Sequence, residues 1–279
     1  YGGTKIEGIL MDNEGNEVLR KRSTYEKNYD SGIDTVKSLI LEFDKHTSTM
    51  NSVGICIPGF SSKDTGLVNN ANCVWINDRP FHKDLEKSLN REIKIMNDAN
   101  CFALSEAIDG SGANYHSVWG IIIGSGFGGS FVYKKQVIEG INQVAGDWGH
   151  QPLPYPTQEE YELNPKCVVG NCGRPLCAEQ FISGIGFTKI FNKKYDTNLR
   201  TREIVALEAN GDERAKKEFE LYEDRFARLI SVMIGIVDPD VIVLGGGMSN
   251  VGRIYENIPK LLPKYTFSDK IRNKILRNT

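Results

Sequence analysis

The chain has 279 residues, and its 34 Lys and Arg against 36 Asp and Glu leave a formal charge of −2. That balance excludes a polycation gripping nucleic acid through its phosphates, because counterion release needs a basic excess. A composition 40% hydrophobic and 25% charged is that of a folded globule with one large or two medium domains. No apolar run reaches the roughly 18 residues a membrane span needs, and the start lacks the charged-then-apolar pattern of a leader, so a cytoplasmic protein without membrane partners is expected.

In chain order, Thr4 to Leu10 alternates as a strand, turns at Asp12 to Asn16 and returns over Glu17 to Ser23 as a hairpin. Asp30-Ser31-Gly32 opens a helix with Ile33, Val36, Leu39, Ile40 and Phe43 at helical spacing. Ser52 to Ile57 reads as a buried strand stopped by Pro58-Gly59. Lys83 to Leu89 reads as a helix, Glu92 to Met96 as a strand, and Asn97-Asp98-Ala99-Asn100 opens a helix that Gly110 stops. Val118 to Ile123 is a second buried strand, running into Gly124-Ser125-Gly126-Phe127-Gly128-Gly129 and a hairpin through Val137.

Gly146 to Cys177, with Pro152, Pro154, Pro156 and Pro165, reads as a long irregular loop, and such a loop needs a function or a staple. Helical patterns resume at Ala178, the longest over Asp212 to Val237. The strand Val241 to Leu244, the turn Gly245-Gly246-Gly247 and a helix near Val251 to Leu262 follow. Strands alternating with helices predict an α/β protein that binds ligands at the carboxyl ends of its strands. A boundary near Gly110 to His116 divides it into lobes of residues 1–112 and 113–279.

Asp98 sits where a strand hands over to a helix. It either accepts a proton from an attacking hydroxyl in phosphoryl transfer or caps the helix. Gly124, Ser125, Gly126 and Gly128 form either a phosphate cradle of main-chain N–H groups or a glycine-rich bend. Without Lys-Ser/Thr they are not a Walker motif, and without a following helix not a dinucleotide fingerprint. Gly245, Gly246 and Gly247 lead from strand to helix and make the better anion cradle. Gly3, Thr4 and Lys5 have the composition of a third phosphate loop, with no strand before them. His150, Cys172 and Cys177, with Cys167 nearby, offer the N and S ligands that tetrahedral zinc takes; the other reading is reduced thiols. Asp147 and Glu179 flank that module, either as acceptors for sugar hydroxyls or as surface charges.

Together these stretches resemble the ROK family of bacterial sugar kinases, of the actin-like ATPase superfamily, over nearly the whole chain. Gly2-Gly3-Thr4-Lys5 looks like the end of its first phosphate motif, Asn97 to Asn100 like its catalytic motif and Gly124 to Gly129 like its second phosphate loop. Gly146 to His150 and Cys172 to Glu179 look like its sugar and zinc motifs, and Gly245 to Ser249 like its adenosine-side turn. Thr65 to Trp75, Pro80-Phe81 and Asp238 to Val251 look closest to fructokinases of the manno(fructo)kinase type.

The resemblance implies a two-lobed actin-like (ribonuclease H-like) α/β fold with an inserted zinc-binding loop, closing on sugar. It implies ATP-dependent phosphorylation of the 6-hydroxyl of a hexose, fructose first and N-acetylglucosamine or glucose as alternatives. Asp98 would be the general base; Asn97, Asp147, His150 and Glu179 would hold sugar; Gly3, Thr4, Lys5 and the two glycine loops would hold ATP with Mg²⁺. His150, Cys167, Cys172 and Cys177 would hold a structural Zn²⁺, and the chain would form a homodimer. Three departures stand out: Asp147 replaces the usual Glu, Gly170 stands where the zinc motif has its first Cys, and the Asp expected before Gly2 is absent. The chain looks cut at both ends. A sugar-sensing repressor of the same family would carry a basic helix-turn-helix before Gly2, and a sugar-binding relic without catalysis is the third reading.

Overall fold

The computed structural model describes residues 1–163, 172–268 and 270–279, and it divides into two compact units, Tyr1–Cys101 and Phe102–Thr279. The division falls within a helix, ahead of the residue 112/113 boundary expected from the sequence.

In the first unit, β1 (Ile6–Met11) pairs antiparallel with β2 (Glu17–Ser23). The turn between them is set by Asp12, whose Oδ1 accepts the N–H groups of Glu14 and Asn16 at 3.0 and 2.8 Å. Helix α1 (Tyr29–Thr47) starts earlier than Asp30-Ser31-Gly32 suggests, because Asn28 is the cap and accepts the Ser31 N–H at 2.8 Å. It buries Tyr29, Val36, Leu39 and Phe43 along one stripe. The unit continues through β3 (Gly54–Ile57), the short antiparallel pair β4 (Phe60–Ser61) and β5 (Val68–Asn69), and α2 (Phe81–Leu89). Then β6 (Lys94–Asn97) lies parallel to β3 and leads straight into α3 (Asp98–Ile108). Ile6, Leu39, Ile57, Phe81, Leu85 and Ile93 join one core.

The second unit is built on a mixed sheet. Strand β7 (Ser117–Ile123) pairs antiparallel with β8 (Phe127–Tyr133), which pairs with β9 (Gln136–Val137). Helices α4 (Gln158–Leu163), α5 (Glu179–Ile182), α6 (Gly184–Tyr195), α7 (Thr201–Ala209) and α8 (Glu213–Val237) follow. Strand β10 (Val241–Gly245) then lies parallel to β7, α9 (Arg253–Leu261) follows, and β11 (Lys274–Arg277) adds parallel to β10, giving the order β11-β10-β7-β8-β9. Asp212 caps α8 by accepting the N–H groups of Arg214 and Ala215, and Phe219, Tyr222, Phe226 and Ile230 carry its apolar face into the core.

The α/β architecture is the one expected, with elements the sequence reading lacked. The irregular loop after Gly146 contains α4 and a 3-10 turn at Trp148–His150. Strand β11 was not foreseen either, whereas α5, α6 and α7 fill the stretch after Ala178 where helical patterns were expected. Gly245 to Gly247 lead into a 3-10 turn, Gly247–Asn250, before α9, rather than directly into an α-helix. Among the described residues, no helix is long and apolar enough to cross a membrane.

Candidate active site

In the first unit the candidate base and its neighbours stand where β6 meets α3. Asn97 performs the capping that the sequence left open for Asp98: its Oδ1 accepts the N–H groups of Ala99 and Asn100 at 2.9 and 3.3 Å. Its Nδ2 donates to the Gly59 carbonyl at 2.9 Å, tying the β6–α3 junction to the turn after β3. Asp98 accepts the Ala99 N–H through Oδ1 at 2.8 Å, and among the described residues no side chain donates to its carboxylate. Asp98 is exposed at the surface of this chain, yet partial loss of solvent on its protein side raises the carboxyl above the ordinary aspartate range, against the pull of the Ala99 N–H. A raised carboxylate is a stronger base than an ordinary one.

Gly2 to Lys5 form a turn into β1. The Gly2 N–H donates to the Lys5 carbonyl at 3.1 Å, and the Tyr25 hydroxyl donates to the Gly2 carbonyl at 2.8 Å. Gly3, Thr4 and Lys5 are exposed.

The second unit brings two glycine loops together at the carboxyl ends of neighbouring parallel strands. Gly245 at the end of β10 is in register with Ile122 near the end of β7. Gly246 has φ +85°, and a Cβ there would meet the Ile123 carbonyl oxygen at 2.5 Å and the Gly124 nitrogen at 3.0 Å. Only glycine permits that backbone conformation and that approach. The first loop closes on itself through Gly124 N–H to Gly126 O at 3.0 Å. It is also held by the Gly184 N–H, which donates to the Gly124 carbonyl at 2.9 Å. Gly184, at the start of α6, is thus a neighbour of the first glycine loop that motif reading missed, and a Cβ on it would meet Met248, just past the second, at 3.6 Å. The Ser-Gly pair just before a helix pattern was the available signal.

Glu179 opens α5. Its Oε2 accepts the Phe127 N–H at 3.0 Å, so the acid is fixed to the end of the Gly124–Gly126 loop. Its Oε1 is buried without a hydrogen-bond partner, and the residue is 5% exposed. Burial is the main cause that raises this carboxyl above the glutamate range. The Asp147 charge adds to the rise, while the Phe127 N–H and His150 oppose it. A buried unpaired carboxylate oxygen is costly unless a ligand donates to it. Asp147 itself is exposed and precedes the Trp148–His150 turn.

The two arms of the long loop zip together through Leu153 N–H to Leu176 O and Ala178 N–H to Gln151 O, both 2.8 Å. That pairing sets Cys177 beside His150, with Sγ 3.6 Å from Nδ1, and Cys177 donates to the Gly149 carbonyl at 3.4 Å. Among the described residues, His150, Cys172 and Cys177 form a group whose ligand atoms all lie within 4.8 Å of one another. One imidazole and two thiols so spaced fit three corners of a tetrahedral zinc site. Cys167 and Gly170 lie outside the described residues.

Arg225 and Arg228 of α8 also went unnoticed in the sequence. Arg228 donates to the carbonyls of Pro154 and Tyr155 at 2.8 and 2.7 Å and to Glu160 of α4, while Arg225 bridges Glu160 and Glu218 at 2.9 and 3.2 Å. All four charged side chains are at most 3% exposed. Two arginines three apart interrupting the apolar stripe of a helix were the signal, since buried charges need partners.

Comparison with known proteins agrees over the whole chain. The ROK family model matches residues 1–278. The N-acetyl-D-glucosamine kinase of Vibrio parahaemolyticus serotype O3:K6 is 35% identical over 277 residues, 99% of this chain and 92% of that protein. An N-acetyl-D-glucosamine kinase of Escherichia coli O1:K1 is 36% identical over 265 residues, 95% of this chain and 88% of that one. Among solved structures, a ROK hexokinase from Thermus thermophilus matches with a TM-score of 0.84 at 22% identity, over 100% of this chain and 91% of that one. A ROK family transcriptional regulator, a homologue of the Escherichia coli MLC protein, matches with 0.85 at 18% identity, over 100% and 72%. A hexokinase and a regulator thus share this fold, which by itself does not separate them. Matched along its length and more than a third identical to curated relatives, the chain belongs to the ROK family.

Proposed function

We propose that this ATP-dependent sugar kinase phosphorylates the 6-hydroxyl of N-acetylglucosamine, with Asp98 as general base. The observation that carries the catalytic role is the raised carboxylate of Asp98 at the carboxyl end of β6, exposed and without a side-chain donor, with Asn97 taking most of the capping. In this reading Asp98 takes the hydroxyl proton as the sugar oxygen attacks the γ-phosphoryl group. Gly124, Ser125, Gly126 and Gly128 with Gly245, Gly246 and Gly247 receive ATP through main-chain N–H groups, as do Gly3, Thr4 and Lys5 at the start of β1. Mg²⁺ arrives with ATP and neutralises phosphate charge. Glu179 Oε1 accepts sugar hydroxyls, and Asn97, Asp147 and His150 are further sugar ligands.

His150, Cys172 and Cys177 would hold a structural zinc, with Cys167 as candidate fourth ligand, fixing the loop that presents His150 and leads into Glu179. The chain works in the cytoplasm as a homodimer. The choice of sugar is supported by the curated relatives, which are named N-acetyl-D-glucosamine kinases. Fructose is the second reading, favoured by the Thr65 to Trp75 segment.

An ADP-release assay over N-acetylglucosamine, fructose, mannose and glucose tests this. The highest kcat/KM is expected for N-acetylglucosamine, and preference for fructose would overturn that choice. Asp98→Asn should lower kcat by about 10²- to 10⁴-fold while sugar binding stays measurable. Near-normal turnover would remove Asp98 from the mechanism.

A further inference from the structure

Cys56 lies on β3 opposite Met96 of β6, and Cys101 lies three residues past Asp98 on α3. Because β3 pairs with β6 and β6 leads straight into α3, the two side chains are neighbours within the first unit, each the first influence on the other's thiol, with Cys56 exposed and Cys101 partly buried. No zinc or sugar role uses either. We propose that Cys56 and Cys101 form a peroxide-sensitive dithiol, a modification site at which oxidation links β3 to the first turns of the helix carrying Asp98 and thereby slows turnover. The effect on turnover rests on the base role proposed for Asp98; the cross-link itself does not.

The chemistry follows from that proximity. The neighbouring Cys101 thiol is the first cause that lowers the Cys56 thiol to about 7, so a substantial share is thiolate at neutral pH. The same proximity raises Cys101, which keeps its proton while Cys56 is charged. Attack of the Cys56 thiolate on hydrogen peroxide forms an S–O bond, breaks the O–O bond and gives a sulfenic acid and hydroxide, which takes a proton to become water. The negative charge that raised Cys101 is then gone. Cys101 sulfur attacks the sulfenic sulfur, the S–S bond forms, the S–O bond breaks, and the departing hydroxide leaves with the Cys101 proton as a second water. Two thiols and one peroxide become one disulfide and two waters. Cys73, the remaining thiol of this unit, is buried and contacts Tyr25, so it does not compete at the surface.

The test uses the full chain, reduced, exposed to hydrogen peroxide, alkylated and digested. Expected are a peptide pair joining Cys56 to Cys101, a fall in turnover of about tenfold or more from displacement around Asp98, and recovery with dithiothreitol. Cys56→Ser and Cys101→Ser should keep the reduced-state turnover and lose the peroxide response, which separates this pair from oxidation of the zinc thiols. Full alkylation of both cysteines after peroxide treatment would overturn the dithiol. A disulfide that leaves turnover unchanged would overturn its hold on Asp98. A reduced chain inactive on every sugar that still forms the disulfide would count against the kinase assignment and for the dithiol.

Discussion

Glu179 accepts the Phe127 N–H through Oε2 at 3.0 Å while its Oε1 stays buried and unpartnered. One carboxylate thereby locks the end of a glycine loop and keeps an acceptor in reserve. A group with a raised folded-state value contributes stability below its unfolded value and loses it as pH rises through the folded one. At neutral pH, charged Glu179 therefore costs stability in the ligand-free protein. Glu179→Gln keeps an acceptor for Phe127 and removes the charge, so thermal melts at pH 7 without sugar should shift upward. The sugar KM should rise about 10- to 100-fold, the worth of a hydrogen bond to a charged group. A melt shifted downward, or an unchanged KM, would contradict the reserve-acceptor role.

If Asp98 is the proposed base, the acid side of the pH profile should report on it. Its carboxyl is raised by loss of solvent, and only its ionised form accepts a proton, so kcat should fall as pH drops through a value above that of an ordinary aspartate. Glu179 is raised as well. The profile is therefore measured at saturating sugar in both native and Glu179→Gln protein, and the limb should persist in the variant. Its disappearance there would assign it to Glu179.

Gly246 separates ATP effects from sugar effects. Gly246→Ala forces an L side chain to φ +85° with its Cβ 2.5 Å from the Ile123 carbonyl oxygen. The strain should cost about 1–3 kcal/mol in urea unfolding. It should raise the KM for ATP and leave the KM for sugar near its native value. Equal rises in both constants would indicate general misfolding.

Metal analysis of protein purified without chelator should find about one zinc per chain, as three of four tetrahedral corners imply. Cys177→Ser removes the thiol beside His150 Nδ1 and should lower zinc content and melting temperature together. Chelation of native protein should lower the melting temperature in the same direction. A native protein without zinc would return the three groups to a plain thiol–imidazole cluster.

Legibility followed locality. Hairpins, caps and strand-end glycines depend on neighbours in sequence, and so the β1–β2 turn, the β6–α3 junction and both glycine loops of the second unit stood in the expected places. Asn28 displaced the expected α1 start by a shift of two residues in a run of several capping types. What could not be read was tertiary. Helix α4 holds six residues between prolines and masked helical periodicity, and it owes its place to Arg225 and Arg228 far along the chain. Strand β11 has four residues and exists by pairing with β10. The partnership of Gly184 with Gly124 likewise crosses 60 residues of sequence.

The Glu160 cluster tests whether the loop bearing His150, Cys172 and Cys177 is held from behind. Burial pushes the Glu160 carboxyl upward, but hydrogen bonds from Arg228, Thr157 and Arg225 prevail and leave it below the ordinary range. A depressed carboxylate contributes stability above its unfolded value and loses it as pH falls through the folded one. Native protein should accordingly weaken in acid below the ordinary glutamate range. Glu160→Ala leaves two buried guanidinium groups short of a partner, and should cost about 3–5 kcal/mol in urea unfolding at pH 7. Since Arg228 also grips the Pro154 and Tyr155 carbonyls, loss of Glu160 should loosen the arm that carries His150, one of the candidate zinc ligands. Zinc should then leave faster in a chelator competition while the KM for ATP stays unchanged. Native zinc release from Glu160→Ala would mean that the paired arms at Gln151–Leu153 and Leu176–Ala178 hold the metal loop by themselves.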